Sequence, residues 1–321
     1  MTARRPIRHN YPFDPSHGYN REQLLAMTAP AEPADFSDFW RQRRKRALHV
    51  PSSIRLRDTG WDDAGWRVFR ITYLSTEQAV IRGWLLIPQH GRILRGFVIG
   101  HGYAGREAPD LDLPFHDAAL LFPALRGMQH SPYPDTSPEP RWHVLHHIQD
   151  RERYVLGGCV DDTWLAVSAL LRLYPQLQGH IGYLGISFGG GIGALALPWE
   201  DRISRAHLNV PTFGHQRLRL QLDSVGSAKS VQQFVRQHPA VTKNLDYFDA
   251  AIAARRIRIP VHCALAGFDP FVAPAGQYAI YNALAGSSRL FELTAGHHPY
   301  PARRKEQAAL REELAEFFAD M

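Results

Sequence analysis

Cysteine is scarce in this chain. Cys159 and Cys263 are its only two, so no disulfide framework is expected. Zinc-finger spacing is missing, and so are the aromatic signatures of RNA-binding modules. Hydrophobic runs are short, and none approaches the ~20 residues needed to cross a bilayer. Residues 1–11 carry arginine and proline where a secretory leader would have an apolar stretch. No internal repeat is present. These absences predict a cytoplasmic protein with no membrane association.

What is present fits an ordinary globular enzyme. The 321 residues are 45% hydrophobic, enough for one large α/β domain with decorations or two small domains. The net charge is +6, carried mostly by arginine. The densest run, Arg41-Gln42-Arg43-Arg44-Lys45-Arg46, is read as the solvated face of a helix starting near Asp35. No nucleic-acid partner is expected.

Hydrophobic periodicity divides the chain. Residues 1–50 form an N-terminal arm, in which Phe36, Phe39 and Trp40 begin an amphipathic helix. Residues 51–321 form the catalytic domain. Residues 66–71 alternate apolar and polar, as a half-buried strand does. Further strands are expected at 80–87, 96–100, 118–125, 181–184, 204–210, 259–266 and 290–294. A proline-rich loop spans 128–142. It precedes a long helix carrying Val160, Trp164, Val167 and Leu171 on one face. Residues 213–255 read as mostly helical and polar. A last helix presents Leu310, Leu314, Phe317 and Phe318. Strands alternating with helices predict a mainly parallel sheet flanked by helices.

One motif gives that architecture a function. Gly185-Ile186-Ser187-Phe188-Gly189 lies between an apolar strand and a run of small residues. G-x-S-x-G at a strand–turn–helix junction is the nucleophile elbow of the α/β-hydrolase fold. Gly185 and Gly189 are expected because side chains there would strike the neighbouring strand and helix. A serine nucleophile needs a base, and this fold supplies Ser, Asp and His in that order. Asp269 and His297 each follow a predicted strand, at the same sheet edge as Ser187. Asp249 precedes its strand and falls at the opposite edge. His297 is preferred to His298 because it directly follows the glycine ending the strand. Backbone N–H groups of Phe188 and Tyr103 would form the oxyanion hole, Tyr103 lying in the glycine-flanked loop after residue 100. Arg126 is expected to brace the site beneath Tyr103 by pairing with a buried carboxylate, with Asp162 the candidate. His143, His146 and His147 read as a solvated or interface cluster, not a metal site. The triad chemistry calls for no metal or organic cofactor.

Seven segments together resemble one known family. They are Asp35-Phe36-Ser37-Asp38-Phe39-Trp40, His101-Gly102-Tyr103, Arg126-Gly127-Met128, the elbow with Gly190, Leu245-Asp246-Tyr247-Phe248-Asp249, and the pair Gly267-Phe268-Asp269 and Gly296-His297-His298. Nearly end to end, they are similar to the acetyl xylan esterase and cephalosporin C deacetylase family, carbohydrate esterase family seven. Met128 and Phe188 stand where that family has glutamine, and His298 where it has glutamate, so the site is expected to be more apolar. The resemblance implies a serine esterase acting on acetyl or other short acyl esters of small molecules or oligosaccharides, and a homo-oligomer. A serine peptidase or aryl-ester hydrolase on the same fold is the alternative within the class. A non-catalytic polyanion-binding protein is the alternative outside it.

Overall fold

The computed structural model describes residues 7–103 and 105–321. Among these residues, nine strands form one sheet in the order β1-β2-β3-β5-β4-β6-β7-β8-β9. The strands are β1 Ile54–Asp63, β2 Trp66–Leu74, β3 Val80–Pro88, β4 Arg95–Gly100, β5 Ala118–Ala124, β6 Ile181–Ile186, β7 Ile203–Asn209, β8 Val261–Ala266 and β9 Ser288–Leu293. The first three pair antiparallel, as do β3 and β5, and every pairing from β5 through β9 is parallel.

Alternation in β2 sends Trp66 and Val68 into the core on one side of the sheet, and Ile71 and Tyr73 into the core on the other. The central parallel strands are covered on both faces, so β5 and β8 are buried along their whole length. Helices Phe36–Leu48, Val155–Leu173, Phe188–Ala196 and Ala250–Ala254 fill one side. Helix Arg303–Phe317 closes the other, with Phe318 edge-on to Phe97 and Phe115. The carboxyl ends of β4, β6, β8 and β9 share one edge, and the candidate loops leave from it.

The structure differs from the sequence reading in three places. Strand β1 was not anticipated, because nine of its ten residues are exposed and no apolar alternation marks them. It is held by its ladder to β2. The arginine run is not wholly a solvated face. Arg43 pairs with Asp161 at 2.8 Å and Arg44 with Glu200 at 3.0 Å, all four nearly inaccessible to solvent. They lie three and four residues beyond Trp40, on the face the helix buries, while Arg46 reaches outward to Glu152. Helix Ala250–Ala254, inside the supposedly polar stretch, is buried throughout.

Candidate active site

Ser187 occupies a strained backbone position, φ 53° and ψ −109°, immediately before helix Phe188–Ala196. The turn is tight enough to exclude side chains on both flanks. A Cβ on Gly185 would approach the Gly189 carbonyl oxygen to 2.4 Å, and one on Gly189 would come within 2.6 Å of the Gly100 backbone. The Ser187 hydroxyl lies 2.8 Å from His297 Nε2, and His297 Nδ1 lies 2.7 Å from Asp269 Oδ2. With the ring proton on Nδ1 donated to Asp269, Nε2 is free to accept from the serine. Asp269 is fully buried and also accepts from the backbone N–H groups of Phe271 and Val272 and from the Gln277 amide. Asp249 caps helix Ala250–Ala254 and accepts four backbone N–H bonds, away from this group.

The loop after β4 is clamped from several directions. Gly189 N–H donates to the His101 carbonyl at 2.8 Å, tying the loop to the elbow helix. Leu125 N–H donates to His101 Nε2, and His101 Nδ1 donates to the Gly102 carbonyl. The Tyr103 ring lies 4.2 Å from that of Phe188, and its hydroxyl donates to His143 Nδ1 at 3.1 Å. His143 Nε2 donates in turn to the Arg126 carbonyl. Among the described residues, the backbone N–H groups of Tyr103 and Phe188 have no partner, as oxyanion donors require.

Arg126 lies beneath this loop. Its guanidinium pairs with Asp162 at 2.7 Å, both side chains almost fully buried, and also reaches Glu77, Ser75 and Thr76. Burial works against the charge of Arg126, but the Asp162 carboxylate outweighs it and strengthens proton retention.

Residues 22–312 match the family of acetyl xylan esterase (AXE1). The chain belongs to this family. The acetyl xylan esterase from Paenibacillus sp. R4 is similar with a TM-score of 0.81 at 21% identity, over 92% of this chain and 99% of that one. Acetyl xylan esterase 1 from Thermoanaerobacterium sp. JW/SL YS485 gives 0.80 at 18% identity, over 94% and 99%. An acylaminoacyl peptidase from Pyrococcus horikoshii is more distant, with 0.60 at 14% identity, and the match covers 84% of this chain but only 47% of the peptidase. As a member of the acetyl xylan esterase family, this protein is a carboxylic ester hydrolase, a serine esterase on the α/β-hydrolase fold. It hydrolyses acetyl esters, and the family implies a small ester or an oligosaccharide ester as substrate. No helix of the described residues is long and apolar enough to cross a membrane.

Three features of this esterase depart from the sequence reading. His143 is not solvated. It is completely buried and bonded through both ring nitrogens, whereas His146 and His147 are half-buried. Phe188 and Met128 are also fully buried, so they lie behind the reactive surface and do not line it. Phe271 was not anticipated, yet its exposed ring lies 5.6 Å from that of His297. The N-terminal arm also reaches the site. The Pro15 carbonyl accepts the Asp269 N–H, His9 packs on Phe268, and Tyr11 packs on His298.

The buried histidines make stability acid-sensitive. Burial holds His101 and His143 down at about 4 and His207 at about 3, against about 6.5 in an unfolded chain. They stay neutral in the fold while the unfolded chain takes up protons. Their contribution is complete above about pH 6.5 and is lost as pH falls toward 4. Asp249, raised by burial to about 6, and Asp161, also raised by burial, act with the opposite sign, but burial lowers His17, His130, His146, His215 and His262 as well, so the histidines dominate. The net loss between pH 7.5 and 4.5 is expected to be on the order of several kcal/mol, lowering Tm by roughly 10 °C. Thermal unfolding followed by circular dichroism checks this, and a Tm that moves by less than about 2 °C contradicts it.

Proposed function

We propose that Ser187, His297 and Asp269 carry the ester hydrolysis, with Ser187 as nucleophile, His297 as general base and acid, and Asp269 orienting the imidazole. The unbroken hydrogen-bonded chain from Ser187 Oγ through His297 to a buried Asp269 supports this reading. Ser187 Oγ attacks the ester carbonyl as its proton passes to His297 Nε2. The N–H groups of Tyr103 and Phe188 receive the developing oxyanion. The alcohol leaves with the proton held by His297, and water then cleaves the acyl-enzyme through the same base. Because the base must be neutral, activity is expected to fall on acidification.

The proposal extends to an acetyl or propionyl preference, with sugars or small alcohols as leaving groups. Tyr103 packs on Phe188, and Phe271 offers an apolar platform beside His297. Each extra acyl methylene must then find room or force a rearrangement. The reading also includes an N-terminal arm of residues 1–50 on a catalytic domain of residues 51–321, supported by the Trp40 indole donating to the Tyr247 carbonyl. It includes a cytoplasmic location, supported by two buried, unpaired cysteines. It also includes a homo-oligomer, supported by the free edge of β1, where Leu56 and Trp61 are exposed.

The test is kcat/KM for p-nitrophenyl acetate, butyrate, octanoate and laurate, together with mass spectrometry after fluorophosphonate treatment. The adduct is expected on Ser187. Acetate is expected to exceed octanoate by at least about tenfold. An optimum at octanoate or longer, or an adduct elsewhere, overturns the corresponding part of the reading.

A further inference from the structure

The fully buried arginines described above are each neutralised. Arg43, Arg44 and Arg126 have a carboxylate 2.7–3.0 Å away. Arg219 breaks the pattern. It ends helix Gln216–Arg219 and is half-buried. Its guanidinium meets only neutral acceptors, the Gln216 amide oxygen at 3.2 Å and the Ser227 hydroxyl at 3.4 Å, and covers the Phe213 ring at 5.4 Å. Among the described residues, no carboxylate lies within ion-pair distance of it. The Asp249 carboxylate acts on it electrostatically but already accepts four backbone N–H bonds. The neighbouring Arg217 is paired with Asp246 at 2.6 Å, so the helix does not lack acids in general.

Arg219 also stands close to the chemistry. The Phe213 ring beneath it lies 6.0 Å from that of Phe188, the proposed oxyanion donor. The Tyr103 phenol is among the groups that act electrostatically on it. Arg219 lines a crevice with Phe213, Leu218, Leu222 and Val272, and Val272 N–H holds Asp269. The crevice measures about 10 Å³, room for one water-sized atom. A carboxylate oxygen fits it, but a sugar ring does not. A largely desolvated guanidinium lacking a counter-ion gains most from an anion that brings its own charge.

We propose that Arg219 is an anion-recognition residue of this esterase, selecting substrates that carry a carboxylate near the scissile ester. This rests on the esterase reading of the Ser187 site. The carboxylate reaches Arg219 from either the alcohol half or the acyl half, and two substrate pairs separate these sources. On the alcohol side, 3- and 4-acetoxybenzoate are compared with their methyl esters. On the acyl side, ethyl hydrogen succinate is compared with ethyl butyrate, followed by pH-stat.

For one pair, Arg219→Gln is expected to lower kcat/KM for the anionic member by about 10- to 100-fold, chiefly through KM. The neutral member and p-nitrophenyl acetate should change by less than about twofold. Arg219→Lys keeps a cation and is expected to retain part of the preference. Arg217→Gln removes the same net charge and is expected to leave it intact. Equal losses on anionic and neutral substrates would show a packing role and overturn the proposal, as would an Arg217→Gln effect as large as that of Arg219→Gln. Hydrolysis of p-nitrophenyl acetate by the wild type reports on the underlying esterase separately. Binding of benzoate to Ser187→Ala, measured by calorimetry, reads the anion site without turnover. Binding that is undiminished when Arg219→Gln is added overturns the assignment.

Discussion

Replacing Ser187 with alanine is expected to lower kcat by about 10⁴- to 10⁶-fold while leaving the fold intact. The size follows from how the three groups depend on one another. His297 has nothing to deprotonate without the hydroxyl 2.8 Å away, and the acyl-enzyme route closes. Residual hydrolysis comes from the oxyanion donors and from binding alone. Since Ser187 sits at φ 53°, alanine inherits the strained turn without relieving it, so Tm should change little. His297→Ala is expected to give a loss of similar order, and the double variant little more than either alone. Steady-state kinetics on p-nitrophenyl acetate, with circular dichroism as the folding control, decides the matter. An alanine variant retaining more than about 1% of wild-type kcat would remove Ser187 from the mechanism.

The largest expected stability effect lies below the site. Asp162→Ala strands the Arg126 guanidinium, which is buried and takes its closest contact, 2.7 Å, from that carboxylate. Breaking a buried pair from one side leaves an uncompensated charge and costs about 3–5 kcal/mol. Asp162 also accepts from the Arg126 backbone N–H and the Ser75 hydroxyl. The damage should therefore reach the Arg126 carbonyl, which receives the His143 N–H and thus indirectly fixes the Tyr103 hydroxyl. Asp162→Asn keeps an acceptor and the shape, and should cost less than the alanine variant. Urea denaturation measures both. A loss below about 1 kcal/mol for Asp162→Ala would mean that Arg126 finds another counter-charge, with Glu77 the available one.

Much of this molecule was legible before any coordinates. The buried parallel strands announced themselves because, covered on both faces, they must be apolar throughout. The elbow was legible because its steric demands leave glycine few substitutes at Gly185 and Gly189. What escaped the sequence is instructive. Strand β1 is stabilised by backbone pairing with its side chains in solvent, so no periodicity records it. Arg43 and Arg44 occupy core-facing helical positions, but charged residues there become intelligible only when Asp161 and Glu200 are seen opposite them. His143 looked like one member of a polar cluster. Its roles are set by partners 40 residues and 17 residues distant, Tyr103 and Arg126. Arg219 carries no motif, and its neutral partners Gln216 and Ser227 become visible only in the fold.

The arm that reaches the Asp269 loop also bears on the history of each molecule. Arg8 and Pro15 contribute carbonyl groups to His298 and Asp269, residues made near the opposite end of the chain. At about 5–20 residues per second, synthesis separates Pro15 from Asp269 by roughly 13–50 seconds. The arm is thus made well before the loops on which it docks. Until then His9 and Tyr11 have no Phe268 or His298 ring to pack on. A nascent chain arrested before β9 would hold the elbow serine and the Asp269 loop, but neither His297, the proposed base, nor His298, on which Tyr11 packs. With the proposed triad, the site is completed late, once the residues that follow β9 join the arm and the Asp269 loop.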